Sequence, residues 1–115
     1  MVEDEFLIAM HLQSIFEEEG AEVLGPYRTL AEALEHAATE DITAASLDLN
    51  LGRDTAAPIA DVLARRHVPF IFYSVQTGDP ALAPWRHVRL IQKPAAAMEL
   101  VEAIAGLVRV REAAE

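Results

Sequence analysis

The sequence contains no cysteine and only one lysine, and no apolar run in it approaches the ~20 residues of a membrane span. Without cysteine, the chain has neither disulfides nor thiolate metal ligands. Its acidic start, Glu3-Asp4-Glu5, excludes a secretory signal. Nineteen acidic and nine basic residues give a net charge of −10, which argues against binding nucleic acid through its phosphates. A basic protein surface or a cation suits this charge better.

The length and composition indicate one compact folding unit. The chain has 115 residues, of which 52% are hydrophobic and 24% charged. These values are typical of a soluble globular domain with its own core, and they argue against a disordered chain. We therefore expect a single cytoplasmic domain that spans residues 1–115.

Strand and helix patterns alternate along the whole chain. Apolar strand patterns lie at residues 1–3, 22–25, 43–49, 69–75 and 88–91. A helical pattern follows each strand. In chain order, the first helix begins at Asp4 and stops at Gly20, the second covers residues 30–38, and the third begins near Pro58. The fourth is short because Pro84 ends it, and the fifth covers residues 96–110. This alternation predicts an α/β fold of five βα units, with a doubly wound parallel sheet and helices on both faces.

The residues that follow the strands are the candidates for function, because open α/β sheets bind ligands beyond the carboxyl ends of their strands. Glu3 and Asp4 follow the first predicted strand, Asp48 the third, Ser74 the fourth and Lys93 the fifth. Lys93 is also the only lysine of the chain, and Pro94 comes next.

These strand ends resemble the receiver domain of two-component response regulators. The resemblance covers nearly the whole chain, through Val2-Glu3-Asp4-Glu5, residues 47–52, residues 70–74 and Gln92-Lys93-Pro94. It implies the flavodoxin-like strand order 2-1-3-4-5. It also implies a phosphoacceptor module of a phosphorelay that takes a phosphoryl group from a phosphohistidine and requires Mg²⁺ (or Mn²⁺).

The resemblance assigns a role to each candidate. Asp48 is the phosphoacceptor, Lys93 places its ammonium against the carboxylate and then the phosphoryl oxygens, and Ser74 donates its hydroxyl to a phosphoryl oxygen. Asp4 and Asp48 ligate the metal directly, with the backbone carbonyl of Asn50, and Glu3 acts through water. The residues themselves agree, because clustered carboxylates repel one another unless a hard cation lies among them. The acidic start could equally favour the N-terminus of the first helix.

Several positions depart from the family pattern or modulate the site. Only Met1 and Val2 precede Glu3, whereas receivers have a full hydrophobic strand there, so either the chain starts late or the first strand is short. Val75 stands where the family has alanine or glycine, and Leu90 where it has tyrosine or phenylalanine, which excludes a switch based on an aromatic rotor. Asn50, Val75 and Gln76 should influence turnover of the phosphate. Pro94 resembles the proline whose cis bond fixes the approach of the lysine in receivers.

The resemblance implies that the partner is a histidine kinase or a histidine phosphotransfer protein, and we expect no nucleic acid or membrane partner. The downstream protein is unknown, and a homodimer is possible. We expect a module without an output domain, whose only catalytic chemistry is its own phosphorylation and autodephosphorylation, so that it is not an enzyme. One alternative is a degenerate receiver that acts only as a protein-interaction module. A second, a phosphatase like the haloacid dehalogenases, needs an aspartate where Asn50 stands and room for a cap domain.

Overall fold

The computed structural model describes residues 1–75, 80–93 and 97–114. Gln76 and Pro94, two residues predicted to modulate the site, lie outside the described residues. In chain order the elements are α1 (Phe6–Glu18), α2 (Leu30–Thr39), β1 (Ala45–Leu47), β2 (Asn50–Leu51), β3 (Asp54–Thr55), α3 (Ala57–Arg65), β4 (Phe70–Ser74), a 3-10 helix (Pro80–Trp85), β5 (Leu90–Gln92) and α4 (Ala97–Ala114).

The central sheet is parallel, as the sequence predicts. Its strands lie in the order β1-β4-β5. On the far side of β1, Val2 forms single parallel bridges to Leu47 and to Tyr27. Tyr27, Val2, β1, β4 and β5 thus follow one another in the predicted order 2-1-3-4-5. Within the described residues the first two positions are one-residue bridges rather than strands, so the full five-stranded ladder is not formed.

Two local predictions differ from the structure. Residues 22–25 form no strand, because Gly25 takes a φ of +97° that leaves the extended region, and the bridge to Val2 falls at Tyr27 instead. The stretch predicted as a loop at residues 51–55 contains part of a short antiparallel hairpin, in which β2 pairs with β3. Gly52, with a φ of +64°, makes its turn.

Apolar side chains cover both faces of the sheet, which explains the uninterrupted hydrophobic pattern of its strands. Along β4, Phe70 and Phe72 point towards α2 and α3, whereas Ile71 and Tyr73 point towards α1 and α4. The first cluster is completed by fully buried side chains such as Leu47, Ile59 and Leu63, and the second by Leu12 and Leu100.

The helix ends follow the local sequence signals. The Thr29 side chain caps α2 by accepting a hydrogen bond from the Glu32 amide at 3.2 Å. Pro58 lies in the first turn of α3, where no amide is required. The short fourth helix predicted around Pro84 is a 3-10 helix that ends at Trp85. No helix among the described residues is long and apolar enough to cross a membrane.

A substitution at Gly25 tests whether the close approach of this turn to Met1 and Tyr27 stabilises the bridges of Val2. A Cβ at Gly25 would lie 2.7 Å from the Met1 carbonyl oxygen and 2.8 Å from the Tyr27 amide nitrogen. We expect Gly25→Ala to lower the free energy of unfolding by about 3–4 kcal/mol, since backbone strain and this clash add. Urea unfolding would measure the loss.

Gly20 provides the matched control for this substitution. Its φ is +90°, yet a Cβ there meets nothing within 4 Å. Gly20→Ala should therefore cost only about 1 kcal/mol, from the left-handed backbone alone. Equal losses in the two variants would show that the close approach of Met1 does not constrain Gly25.

Candidate functional site

The backbone of Val2 places the first acidic residue beside β1. Its amide donates to the Ser46 carbonyl at 2.9 Å, and its carbonyl accepts from the Asp48 amide at 2.9 Å. Glu3 and Asp48 therefore leave the sheet at the same edge, in neighbouring positions. Both are buried, with 1% and 6% of their surface exposed. Buried carboxylates require a partner, and this edge supplies one.

That partner is Lys93. Its amide donates to the Ser74 carbonyl at 2.9 Å, which positions the residue beyond the end of β4. Its Nζ donates to Glu3 Oε1 at 2.7 Å and to Asp48 Oδ2 at 3.2 Å. The Nζ also lies 5.2 Å from the centre of the Tyr73 ring, within cation–π range.

The charges at this edge depend on one another. Burial raises the pKa of Glu3 to about 7, the hydrogen bond from Lys93 opposes the rise, and the neighbouring Asp48 adds to it. Burial alone would lower the pKa of Lys93, but its hydrogen bond to Glu3 and the charge of Asp48 outweigh this and raise the pKa. Lys93 therefore stays an ammonium ion, while Glu3 is the group of the pair whose charge changes near neutral pH.

Four carboxylates form a cluster with the geometry of a cation site. Oxygens of Glu3, Asp4, Glu5 and Asp48 all lie within 4.8 Å of one another. Hard oxygen donors with a partly exposed side suit Mg²⁺, which keeps several of its waters. The set is more negative than Lys93 alone can balance, because it brings four carboxylates against one ammonium. The residues present therefore fit a divalent cation.

Neighbouring amides orient two of these carboxylates. The Asn50 amide donates to Asp48 Oδ1 at 3.3 Å, and the Gly52 amide in the hairpin turn donates to Asp4 Oδ2 at 3.2 Å. Asn50 thus lies beside Asp48 as predicted, and the ligation by its carbonyl stays a prediction. The hairpin adds a contact that the sequence analysis did not foresee, since it links the turn to the acidic segment.

The remaining predicted residues surround this cluster. Ser74 ends β4 and is fully buried, beside the backbone of Lys93. Val75 follows it with 62% of its surface exposed, and its effect on access to Asp48 stays a prediction. Leu90 is half-buried at the start of β5 and packs against the cluster under α2 and α3, opposite Phe72.

The sequence analysis missed two residues that contribute to this site. Glu5, which we assigned only to the start of the first helix, belongs to the acidic cluster and lies 3.9 Å from the Lys93 Nζ. Tyr73 contributes its ring beneath that ammonium. Glu5 could have been found from its place in an unbroken acidic run. Tyr73 carried no distinguishing signal, because an aromatic residue in a buried strand is ordinary core.

No protein-family model and no curated protein matches the sequence, but solved structures do. A CheY-like receiver domain protein from Methanospirillum hungatei superposes with a TM-score of 0.86 at 21% identity, over 99% of this chain and 94% of that one. The receiver domain of a modulated diguanylate cyclase from Desulfovibrio desulfuricans superposes with a TM-score of 0.80 at 28% identity, over 99% of this chain and 94% of that one. The receiver domain of a putative Luxo repressor protein from Vibrio parahaemolyticus superposes with a TM-score of 0.83 at 16% identity, over 96% of this chain and 88% of that one.

The resemblance found in the sequence is therefore confirmed at the level of structure. The chain has the fold of the CheY-like receiver domains of response regulators, and the likeness extends over nearly its whole length. This fold supports a role as a signal receiver domain.

The raised pKa of Glu3 predicts how stability depends on pH. In metal-free solution, a carboxyl with a pKa of about 7 when folded and 4.5 as its ordinary value contributes stability below pH 4.5. That contribution is lost as the pH rises through 7. Relative to Glu3→Gln, the parent should lose about 1–3 kcal/mol of unfolding free energy between pH 5 and pH 8.5.

Urea unfolding in EDTA across this pH range would measure the difference. Glu35→Gln on the exposed side of α2 is the matched control, and its curve should run parallel to that of the parent. A parallel curve for Glu3→Gln as well would mean that Glu3 titrates alike in the folded and unfolded chains.

Proposed function

We propose that the chain is a phosphoacceptor signalling module, in which Asp48 receives a phosphoryl group from a phosphohistidine of a partner protein. One observation carries the proposal. In a receiver-like fold, Lys93 Nζ lies between the carboxylates of Glu3 and Asp48 at the carboxyl edge of the sheet. A single ammonium held there can neutralise charge on whatever Asp48 binds.

The proposed reaction moves the phosphoryl group between two nucleophiles. The phosphorus–nitrogen bond of the phosphohistidine breaks, and its electron pair stays on the imidazole nitrogen. A carboxylate oxygen of Asp48 forms the new phosphorus–oxygen bond and yields an acyl phosphate. Phosphoryl transfer depends chiefly on positioning and charge stabilisation, which Lys93 and the hydroxyl of Ser74 would supply to the phosphoryl oxygens.

Asp4 and Asp48 would hold the metal directly, with the carbonyl of Asn50 as a further ligand, and Glu3 would act through water. When bound, Mg²⁺ supplies positive charge that offsets the oxygens of the incoming phosphoryl group. The contacts from Asn50 and Gly52 orient Asp48 and Asp4 beforehand, so less rearrangement is needed on binding. Glu5, whose carboxylate belongs to the same cluster, would extend this ligand set beyond the one that the sequence predicts.

The partner that fits this function is a histidine kinase or a histidine phosphotransfer protein in the cytoplasm, with a further protein as the target of the phosphorylated form. The conformational response would run from Ser74 into the segment that follows it, since Leu90 offers no polar group for an aromatic-type switch. Val75 would set the access of donors to Asp48, and Gln76 the access of water.

The phosphoacceptor assignment has a direct test. Acetyl phosphate or a phosphorylated kinase domain with Mg²⁺ should add one acid-labile phosphate to the parent chain, measured by intact mass. Asp48→Asn should lower the labelling by at least ~100-fold, because an amide cannot replace the attacking carboxylate.

Asp41→Asn is the matched control, since Asp41 is exposed and lines the opposite end of the sheet. It should be labelled like the parent. Labelling of Asp48→Asn at the parental rate would exclude Asp48 as the acceptor, and a parent that binds Mg²⁺ but takes no phosphate would favour a module that acts only by protein interaction.

The metal assignment is tested by thermal unfolding. Mg²⁺ at 100 times its dissociation constant should stabilise the parent by about 2.7 kcal/mol. Asp4→Asn should lose most of this gain, and it should unfold at a slightly higher temperature than the parent in EDTA, because it relieves repulsion among the carboxylates. Asp41→Asn again serves as the control. An unchanged response of Asp4→Asn to Mg²⁺ would remove Asp4 from the ligand set.

A further inference from the structure

A buried aromatic ring lies beside the Lys93 ammonium. The Lys93 Nζ is 5.2 Å from the centre of the Tyr73 ring and lies over its face. Tyr73 is 6% exposed and the Lys93 side chain 4%. An aromatic face attracts a cation through the quadrupole of the ring, and the attraction is strongest where water is excluded. The ring is therefore a contact of the ammonium in its own right, beside the two carboxylates.

The sheet determines how the ring and the ammonium meet. Tyr73 pairs with Ile91 across β4 and β5, and the Lys93 amide donates to the Ser74 carbonyl. Side chains alternate along a strand, so Lys93, two residues after Ile91, continues on the face that carries Ile91 and Tyr73. The stem of Lys93 therefore runs on the side of the sheet that α1 and α4 cover, and its ammonium reaches the carboxylates past the ring.

The ring has little freedom to leave this contact. Tyr73 belongs to the buried cluster under α1 and α4, together with Leu12, Ile91 and Leu100. These three side chains are 3% exposed or less, and close packing of this kind holds a buried side chain in one rotamer. Burial also raises the pKa of Tyr73, so its phenol is neutral and the ammonium meets an aromatic face rather than a phenolate.

The ring differs from the other contacts of Lys93 in what it depends on. Glu3 and Asp48 accept hydrogen bonds from the ammonium at 2.7 and 3.2 Å. Both carboxylates belong to the acidic cluster that fits a divalent cation, and a phosphoryl group would join an oxygen of Asp48. Both hydrogen bonds therefore change when a cation or a phosphoryl group arrives. The ring is uncharged and can keep its contact with the ammonium throughout.

We propose that Tyr73 is a positioning residue, whose ring holds the Lys93 ammonium at the carboxyl edge of the sheet while Glu3 and Asp48 turn to a bound cation or phosphoryl group. Tyr73 would act only through Lys93. Its effect on phosphoryl transfer rests on the proposed function, whereas its hold on Lys93 can be observed without any phosphate.

NMR of the lysine side chain tests the contact directly. Because Lys93 is the only lysine, isotope-labelled lysine gives a single set of side-chain signals. The ring shields the protons next to the ammonium, so Tyr73→Leu should move the ε-methylene signals downfield, whereas Tyr73→Phe keeps the aromatic face and should leave them near the parental position. With saturating Mg²⁺ the shielding should persist in the parent, while the freed side chain of Tyr73→Leu should give sharper signals.

A second substitution guards against poor folding of the leucine variant. Tyr73→Met fills more of the buried space and has no aromatic face, so its Lys93 signals should shift as those of Tyr73→Leu do.

Rates of phosphorylation separate positioning from a general loss of stability. Phe72→Leu is the matched control, since it removes a buried ring from the neighbouring position of β4, on the opposite face of the sheet. With acetyl phosphate and saturating Mg²⁺, Tyr73→Leu should be phosphorylated about 10-fold more slowly than the parent, as expected for the loss of one desolvated cation–π contact. Tyr73→Phe and Phe72→Leu should stay within about 2-fold of the parent.

Lys93 signals that keep the parental position in Tyr73→Leu would overturn the proposal. So would a loss of rate in Tyr73→Phe or Phe72→Leu as large as that in Tyr73→Leu. A parent that takes no phosphate would overturn the phosphoacceptor assignment instead, and the NMR signals would then decide whether the ring holds the ammonium: loss of the shielding from the parent on binding Mg²⁺ would show that it does not.

Discussion

Everything at the carboxyl edge of the sheet depends on one buried ammonium held between two buried carboxylates. Lys93 reaches Glu3 at 2.7 Å and Asp48 at 3.2 Å, and each of the three side chains is almost wholly withdrawn from water. Removing one partner from such a group costs about 3–5 kcal/mol, because an uncompensated charge is left behind. Strand ends, turn amides and the ring of Tyr73 all serve to place these charges.

The backbone of Val2 holds the residues of this ion pair in place. It is a single residue of sheet, yet its amide and carbonyl bind Ser46 and Asp48, and its neighbour Glu3 bonds through its amide to the Tyr27 carbonyl at 3.0 Å. A sheet position reduced to one residue is stable here because helices cover it on both faces and its side chain is buried. The relative positions of Glu3 and Asp48 follow from these three backbone hydrogen bonds.

How far the sequence predicts the structure depends on the length of each signal. β4 and α4 have long apolar patterns, and Asp48, Ser74 and Lys93 are located by the rule that parallel strands present function at their carboxyl ends. The hairpin of β2 and β3 has two residues in each strand, which is too short for any periodicity to show. The bridge at Tyr27 was missed because Val23 and Leu24 look more like a strand than the residues after Pro26. Glu5 was missed because a helix start explains it equally well.

The span of the central ion pairs along the chain also has a kinetic consequence. Lys93 is separated by 90 residues from Glu3 and by 45 from Asp48, so both contacts close long loops of the chain. Loop closure over such distances must precede the gain from the contacts, and topologies rich in distant pairings fold slowly. A fragment that lacks Glu3, Asp48 or Lys93 lacks one member of the cluster. We therefore expect the charge cluster to form only after the acidic segment, β1 and β5 have come together, so that its formation would report a late step of folding.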